Sequence, residues 1–108
     1  MISAGQTEPT YKNAAHHIVA GTSPQAEEAR AVLEKYGVDI NSAENGVFLP
    51  TEKGVSNAEY HPSLHTNEYY LKVNVLLSEA DSREDILEIL ETIKELLLEG
   101  FFRLYVIL

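Results

Sequence analysis

Two stretches of this chain are bracketed by helix punctuation clear enough to leave little room for a large sheet. Ser23 and Pro24 stand where an N-cap and a first helical residue belong, Ala26, Ala29, Val32, Leu33 and Tyr36 recur on one face, and Gly37 stops the pattern. A helix is therefore predicted over residues 24–36. Farther on, Ser82 with Asp85 has the form of a capping arrangement, although Glu or Gln is favoured at the third position. Ile86, Leu87, Ile89, Leu90, Ile93, Leu96 and Leu97 then carry an amphipathic stripe to Gly100. Between these two, Tyr69, Tyr70, Val73, Leu76, Leu77 and Ala80 mark another helix, whose start falls somewhere between Pro62 and Thr66. What is left for strands is short. Residues 14–20 (AAHHIVA), closed by Gly21, read as an extended strand or strand-like loop, and residues 47–49, entered from the turn at Asn45-Gly46 and halted by Pro50, read as a short strand placed to pair with it. Residues 51–59 contain Gly54 and no periodicity and read as loop. The expected fold class is α+β.

With 108 residues, 44% of them apolar, the chain holds one modest core and so one site. Residues 14–100 are expected to be the folded unit, residues 1–13 an N-terminal extension or linker, and residues 101–108 a hydrophobic last strand or tail. The absence of cysteine excludes disulfides and thiolate zinc sites and leaves the redox compartment open. Residues 1–13 lack the basic and apolar regions of a secretory signal. The most apolar stretch, residues 96–108, is broken by Glu99, Gly100 and Arg103 and is too short to span a membrane.

The net charge of -9 weighs against nucleic-acid binding by bulk electrostatics. Its distribution softens that objection, because residues 79–99 hold eight acids against two bases, a net of -6 on one helix and its approach. If that helix turns its charged face from the site, screening over about 8 Å at physiological salt removes much of its effect. A further reading, that the acids mimic nucleic acid, is the weakest for want of a continuous acidic surface beyond that helix.

The four histidines fall into two clusters, His16 with His17 and His61 with His65. On a strand, neighbours point to opposite faces, so His16 and His17 suit different roles. On a helical turn, residues four apart share a face and can bind one ion. Together they offer three ligands and one spare. Phosphodiester hydrolysis uses such a division: a Lewis acid clamps the phosphate and leaving oxygen, while an unligated imidazole, ordinarily of pKa about 6.5, takes a proton from water. Nitrogen ligands favour Zn²⁺ or Ni²⁺, with Mg²⁺ the less suited choice. The plain alternatives are a turn residue at His61, a surface residue at His65, and a strand pair with one ring packed and one exposed.

The segments AHHIV at 15–19, Ala29-Arg30 with Leu33, GVDIN at 37–41, NGVFLP at 45–50 and HPSLHTNEYY at 61–70 resemble the AHH family of nucleases. That family belongs to the HNH/endonuclease VII superfamily and occurs as toxin domains of bacterial polymorphic toxin systems. The resemblance spans residues 14–90. It implies a ββα-metal, treble-clef-like finger, here with an inserted helix between the strands and an amphipathic helix at the C-terminal end. By likeness to HNH nucleases with a double histidine followed by H-x-x-x-H, such as colicin DNases, His16, His61 and His65 are the expected ligands of one divalent ion and His17 the general base. Descriptions of the group also admit one ligating histidine with three serving water activation. The resemblance places Asn45 as the residue tying the finger loop and orienting the base, while Asn45-Gly46 also reads simply as a turn. Lys12, Lys53 and Lys72 are candidate phosphate contacts, and Asn67, Glu68 and Tyr69 are candidate neighbours of the site, Asn67 or Glu68 as a group that binds the phosphate of the substrate or supports a ligand; solvated charge and helix surface are the plain alternatives. The implied activity is metal-dependent cleavage of DNA in preference to RNA. The implied setting is a secreted effector acting in a target-cell cytoplasm, with a cognate immunity protein as partner. No trafficking domain precedes Met1, so the chain is expected to be a toxin's excised C-terminal part or a free-standing orphan. The rival from another class is a non-catalytic metal-binding interaction module.

Overall fold

The structure is a computed structural model and describes residues 12–51 and 66–100. In chain order it contains strand β1 (Asn13–His17), helix α1 (Glu27–Lys35), strand β2 (Gly46–Pro50), helix α2 (Asn67–Ser78) and helix α3 (Arg83–Glu99), with 3-10 turns at Pro24–Ala26 and Ala43–Asn45. Among the described residues this is an α+β fold with a two-stranded antiparallel sheet and three helices. The register pairs Asn13 with Pro50, Ala15 with Phe48, His16 with Val47 and His17 with Gly46.

β1 is shorter than residues 14–20. Beyond His17 the chain leaves the ladder, and the Ile18 N–H instead meets the Asn45 carbonyl at 2.8 Å. Ile18 and Val19 are fully buried outside the strand, so apolar character there reports core and not extended pairing. Pro50 is the last residue of β2, a position that needs no further ladder donor.

The first helical segment also differs at its start. Ser23 has no capping hydrogen bond; its hydroxyl donates to Gln25 Oε1 at 2.7 Å, the chain turns as a 3-10 helix, and α1 begins at Glu27. The cap comes from across the core. Asn74 of α2 accepts the Ala29 N–H at 3.1 Å through Oδ1 and donates through Nδ2 to the Gln25 carbonyl at 2.8 Å. A regular α-helix would pair those two backbone groups with each other. At the other end, Gly37 at φ 70° lets its N–H reach the Glu34 carbonyl and the Val38 N–H reach that of Leu33, a Schellman stop.

α2 begins after Thr66, whose hydroxyl accepts the Tyr69 N–H at 3.2 Å. At α3 the Ser82 hydroxyl accepts the Asp85 N–H at 3.1 Å, while the Asp85 carboxylate accepts the Asp81 N–H at 2.9 Å. The reciprocal cap therefore forms with Asp, displaced one residue outward. Buried Ile18, Val19, Leu33, Val47, Leu49, Val73, Leu77, Ile86, Leu90, Ile93 and Leu97 belong to one core that joins the sheet to all three helices. Residues 1–11, 52–65 and 101–108, with the expectations placed on them, lie outside the described residues.

Asn74→Ala should destabilise the fold by about 2 kcal/mol or more, since it strands two backbone groups at once. Ser78→Ala on the same helix should cost less than about 0.5 kcal/mol. Urea titration of the two variants compares them, and equal stabilities would contradict the bridging role.

Candidate functional site

β1 delivers two adjacent imidazoles to opposite faces of a short strand. His16 turns inward and is only 4% exposed, whereas His17 is half-buried. The His16 ring sits edge-on to Tyr69, with centroids 5.4 Å apart, and its Nε2 lies 2.8 Å from the Tyr69 hydroxyl. That hydroxyl donates to the Ile18 carbonyl at 2.8 Å. A carbonyl can only accept and a phenol has one proton to give, so the His16 contact must be Nε2–H donating to the Tyr69 oxygen. In the neutral ring the lone pair is then on Nδ1. Burial, with a smaller contribution from neighbouring Tyr70, pushes the Tyr69 hydroxyl well above its ordinary pKa and keeps it protonated around neutrality.

His17 is oriented in a parallel way from the other side. Its Nε2 lies 3.1 Å from Asn41 Oδ1, an acceptor, so Nε2–H donates and the lone pair again belongs to Nδ1. Asn41 is itself steadied by its backbone N–H donating to Asp39 Oδ1 at 2.8 Å.

Asn45 is fully buried and connects these parts. Its Oδ1 accepts the Val19 N–H at 2.8 Å, and its Nδ2 donates to the Val19 carbonyl at 3.1 Å and the Ile40 carbonyl at 2.8 Å. It closes a 3-10 turn and also ties the chain just after β1 to the turn that carries Asn41. These side-chain bonds all go to backbone, so Asn45 holds the loops in place and does not meet either imidazole through them. Arg30 does similar work beside it, one guanidinium nitrogen reaching the Ala20 carbonyl at 2.9 Å and the Ser23 carbonyl at 2.6 Å.

A cleft of about 310 Å³ opens along these parts, lined by Ala15, His16, His17, Ala20, Gly21, Thr22, Ser23 and Tyr70. None of these lining residues carries a carboxylate, and none comes from α3. The acid-rich helix packs instead against β2, the turn at Ala43–Asn45 and α2.

The remaining sequence candidates divide. His61, His65 and Lys53 lie outside the described residues. Lys12 is exposed just before β1, and Asn67 is the first residue of α2. Lys72 forms an ion pair with Glu68 at 3.5 Å. Tyr69, for which helix surface was the plain alternative, is buried against His16. Asn41 and Arg30 lie in the segments that carry the resemblance, yet nothing in their type marks a positioning role.

Among the described residues no group of three or more His, Cys, Asp or Glu side chains is placed to hold a metal ion. Of the three expected ligands only His16 is described, and its donor chemistry, a buried imidazole with its lone pair on Nδ1, suits a divalent ion that prefers nitrogen.

A family model described as a nuclease family of the HNH/ENDO VII superfamily with conserved AHH matches residues 1–98. No curated protein and no solved structure gives a significant match. The chain belongs to this AHH nuclease family, and its single Ala-His-His, at positions 15–17, is the segment of β1 that brings both oriented imidazoles to the cleft.

Proposed function

We propose that the protein is a metal-dependent endonuclease in which His17 is the general base and His16, His61 and His65 hold one divalent ion, within a ββα-metal finger built from β1, β2 and the chain leading into α2. The observation that carries this reading is the pair of adjacent imidazoles, each donating from Nε2 to a fixed acceptor, at a cleft whose described lining residues carry no carboxylate. Membership of a nuclease family supplies the reaction class.

In this reading His17 Nδ1 takes the proton of the attacking water, and the Asn41 carboxamide keeps the ring in the tautomer that leaves Nδ1 able to accept it. Asn45 and Arg30 hold the loops on either side, so the base stays in place without ordering its surroundings during reaction. When bound, a divalent ion supplies Lewis-acid stabilisation of charge on the phosphate and the leaving oxygen. Zn²⁺ or Ni²⁺ suits three imidazoles better than Mg²⁺. DNA is the favoured substrate over RNA. The setting proposed by family likeness is that of a bacterial toxin domain acting in a target-cell cytoplasm, countered in the producer by an immunity protein.

Purified protein incubated with plasmid and with RNA, with Zn²⁺, Ni²⁺ or Mg²⁺ and with chelator, should cleave DNA only when metal is supplied. His17→Ala should keep the ion and lose about 10²-fold or more in rate. Wild type and His17→Ala equally inert with metal bound would favour a non-catalytic interaction module. His61→Ala and His65→Ala should each lower metal content along with activity; unchanged stoichiometry would contradict their assignment as ligands. Asn41→Leu should reduce kcat roughly 10-fold with metal content preserved, and an unaffected kcat would remove Asn41 from the account.

A further inference from the structure

We infer that Tyr69 is a positioning residue that holds His16 in the Nε2–H tautomer and thereby reserves Nδ1 as the nitrogen that donates to a divalent cation. This deepens the proposed metal site and, for its last step alone, rests on that reading.

The argument begins with what the hydroxyl can and cannot do. Tyr69 comes from α2, fifty-one residues beyond Ile18, yet its oxygen is within 2.8 Å of both the Ile18 carbonyl and His16 Nε2. Its one proton is committed to the carbonyl. Toward His16 it therefore presents only lone pairs, and the ring must answer with a proton on Nε2.

The pairing is also hard to exchange. Tyr69 is 4% exposed and His16 likewise 4%, so water has little access to replace either partner. The rings meet at 64°, and Thr66 caps the first turn of α2 on the Tyr69 N–H, which fixes the start of the helix bearing the phenol. Moving the His16 proton to Nδ1 would either set the Nε2 and phenol lone pairs against each other or turn the phenol proton to Nε2 and take it from the Ile18 carbonyl, so one of the two buried hydrogen bonds is lost in either case. A ligating imidazole whose other nitrogen donates to a fixed oxygen is better oriented and more basic toward a cation.

Tyr69 is also a core side chain, stacked within the apolar cluster that includes Val73 and Leu77. Tyr69→Phe keeps that packing and removes only the oxygen, so it separates the tautomer role from the packing role. The variant leaves the Ile18 carbonyl without this donor, and a thermal melt beside wild type establishes that it is folded before the other readouts are compared.

Nitrogen-15 NMR of the histidine rings in the metal-free protein reads the tautomer directly. Wild-type His16 should show a protonated Nε2 and an unprotonated Nδ1, and folded Tyr69→Phe should show a mixture of tautomers or the Nδ1–H form. Isothermal titration with Zn²⁺ should give an affinity about 10- to 100-fold weaker for Tyr69→Phe than for wild type, with Tyr36→Phe unchanged as a tyrosine control. Wild-type His16 protonated on Nδ1, or a folded Tyr69→Phe with the wild-type tautomer, would overturn the inference. An altered tautomer with unaltered zinc affinity would overturn the donor assignment. If wild type takes up no Zn²⁺ while the tautomer shifts as expected, the metal-site reading fails and the positioning of His16 by Tyr69 stands.

Discussion

A two-stranded antiparallel pair of five residues each is marginal by itself, and here the two histidines proposed to act in catalysis sit on one of its strands. What makes this arrangement hold is the buried carboxamide of Asn45. Where β1 ends, its backbone turns inward and its polar groups lose both the ladder and water. Asn45 satisfies the Val19 N–H and carbonyl with its side chain and the Ile18 N–H with its own carbonyl. Leaving such groups unpaired would cost about 1–3 kcal/mol each. The same side chain reaches the Ile40 carbonyl, so the turn supplying Asn41 is fixed relative to the strand supplying His17. The end of the strand and the placement of the turn that orients His17 thus rest on one residue.

The helices complete the site from outside the sheet. α2 contributes Tyr69 to His16 and Asn74 to the start of α1. α1 returns the favour to the cleft through Arg30, which gathers the carbonyls of the loop at 20–23. α3 contributes apolar residues to the core and carries much of the protein's negative charge on exposed positions such as Glu88, Glu91 and Glu95. Because none of the described residues lining the cleft carries a carboxylate, the bulk charge of -9 is a poor guide to the charge at that lining.

Periodicity revealed the helices because burial imposes it: Ile86, Leu90, Ile93 and Leu97 repeat at helical spacing and are all buried. The α+β class and the pairing of the two short strands were readable for the same reason. Ser23 misled because capping depends on which oxygen reaches the free N–H groups, and Asn74, forty-five residues beyond Ala29, does so instead. Residues 18–20 looked like strand because apolar residues in a buried loop and in a buried strand have the same composition. At the site, the Ala-His-His tripeptide and Asn45 stood out in the sequence, while the hydroxyl of Tyr69 was hidden in an apolar stripe. Its role follows from a contact made across fifty-three residues, and a tautomer is set by such contacts and not by residue type.

The most direct measurement of the account is a crystal structure of the protein grown with Zn²⁺, with anomalous scattering collected at the zinc edge to locate the ion. The account predicts one ion about 2.0–2.1 Å from His16 Nδ1, with His61 and His65 completing its histidine ligands and His17 turned to the cleft without coordinating it. An ion bound through His17, or one seated away from His16 altogether, would contradict the division of labour between the two neighbouring rings.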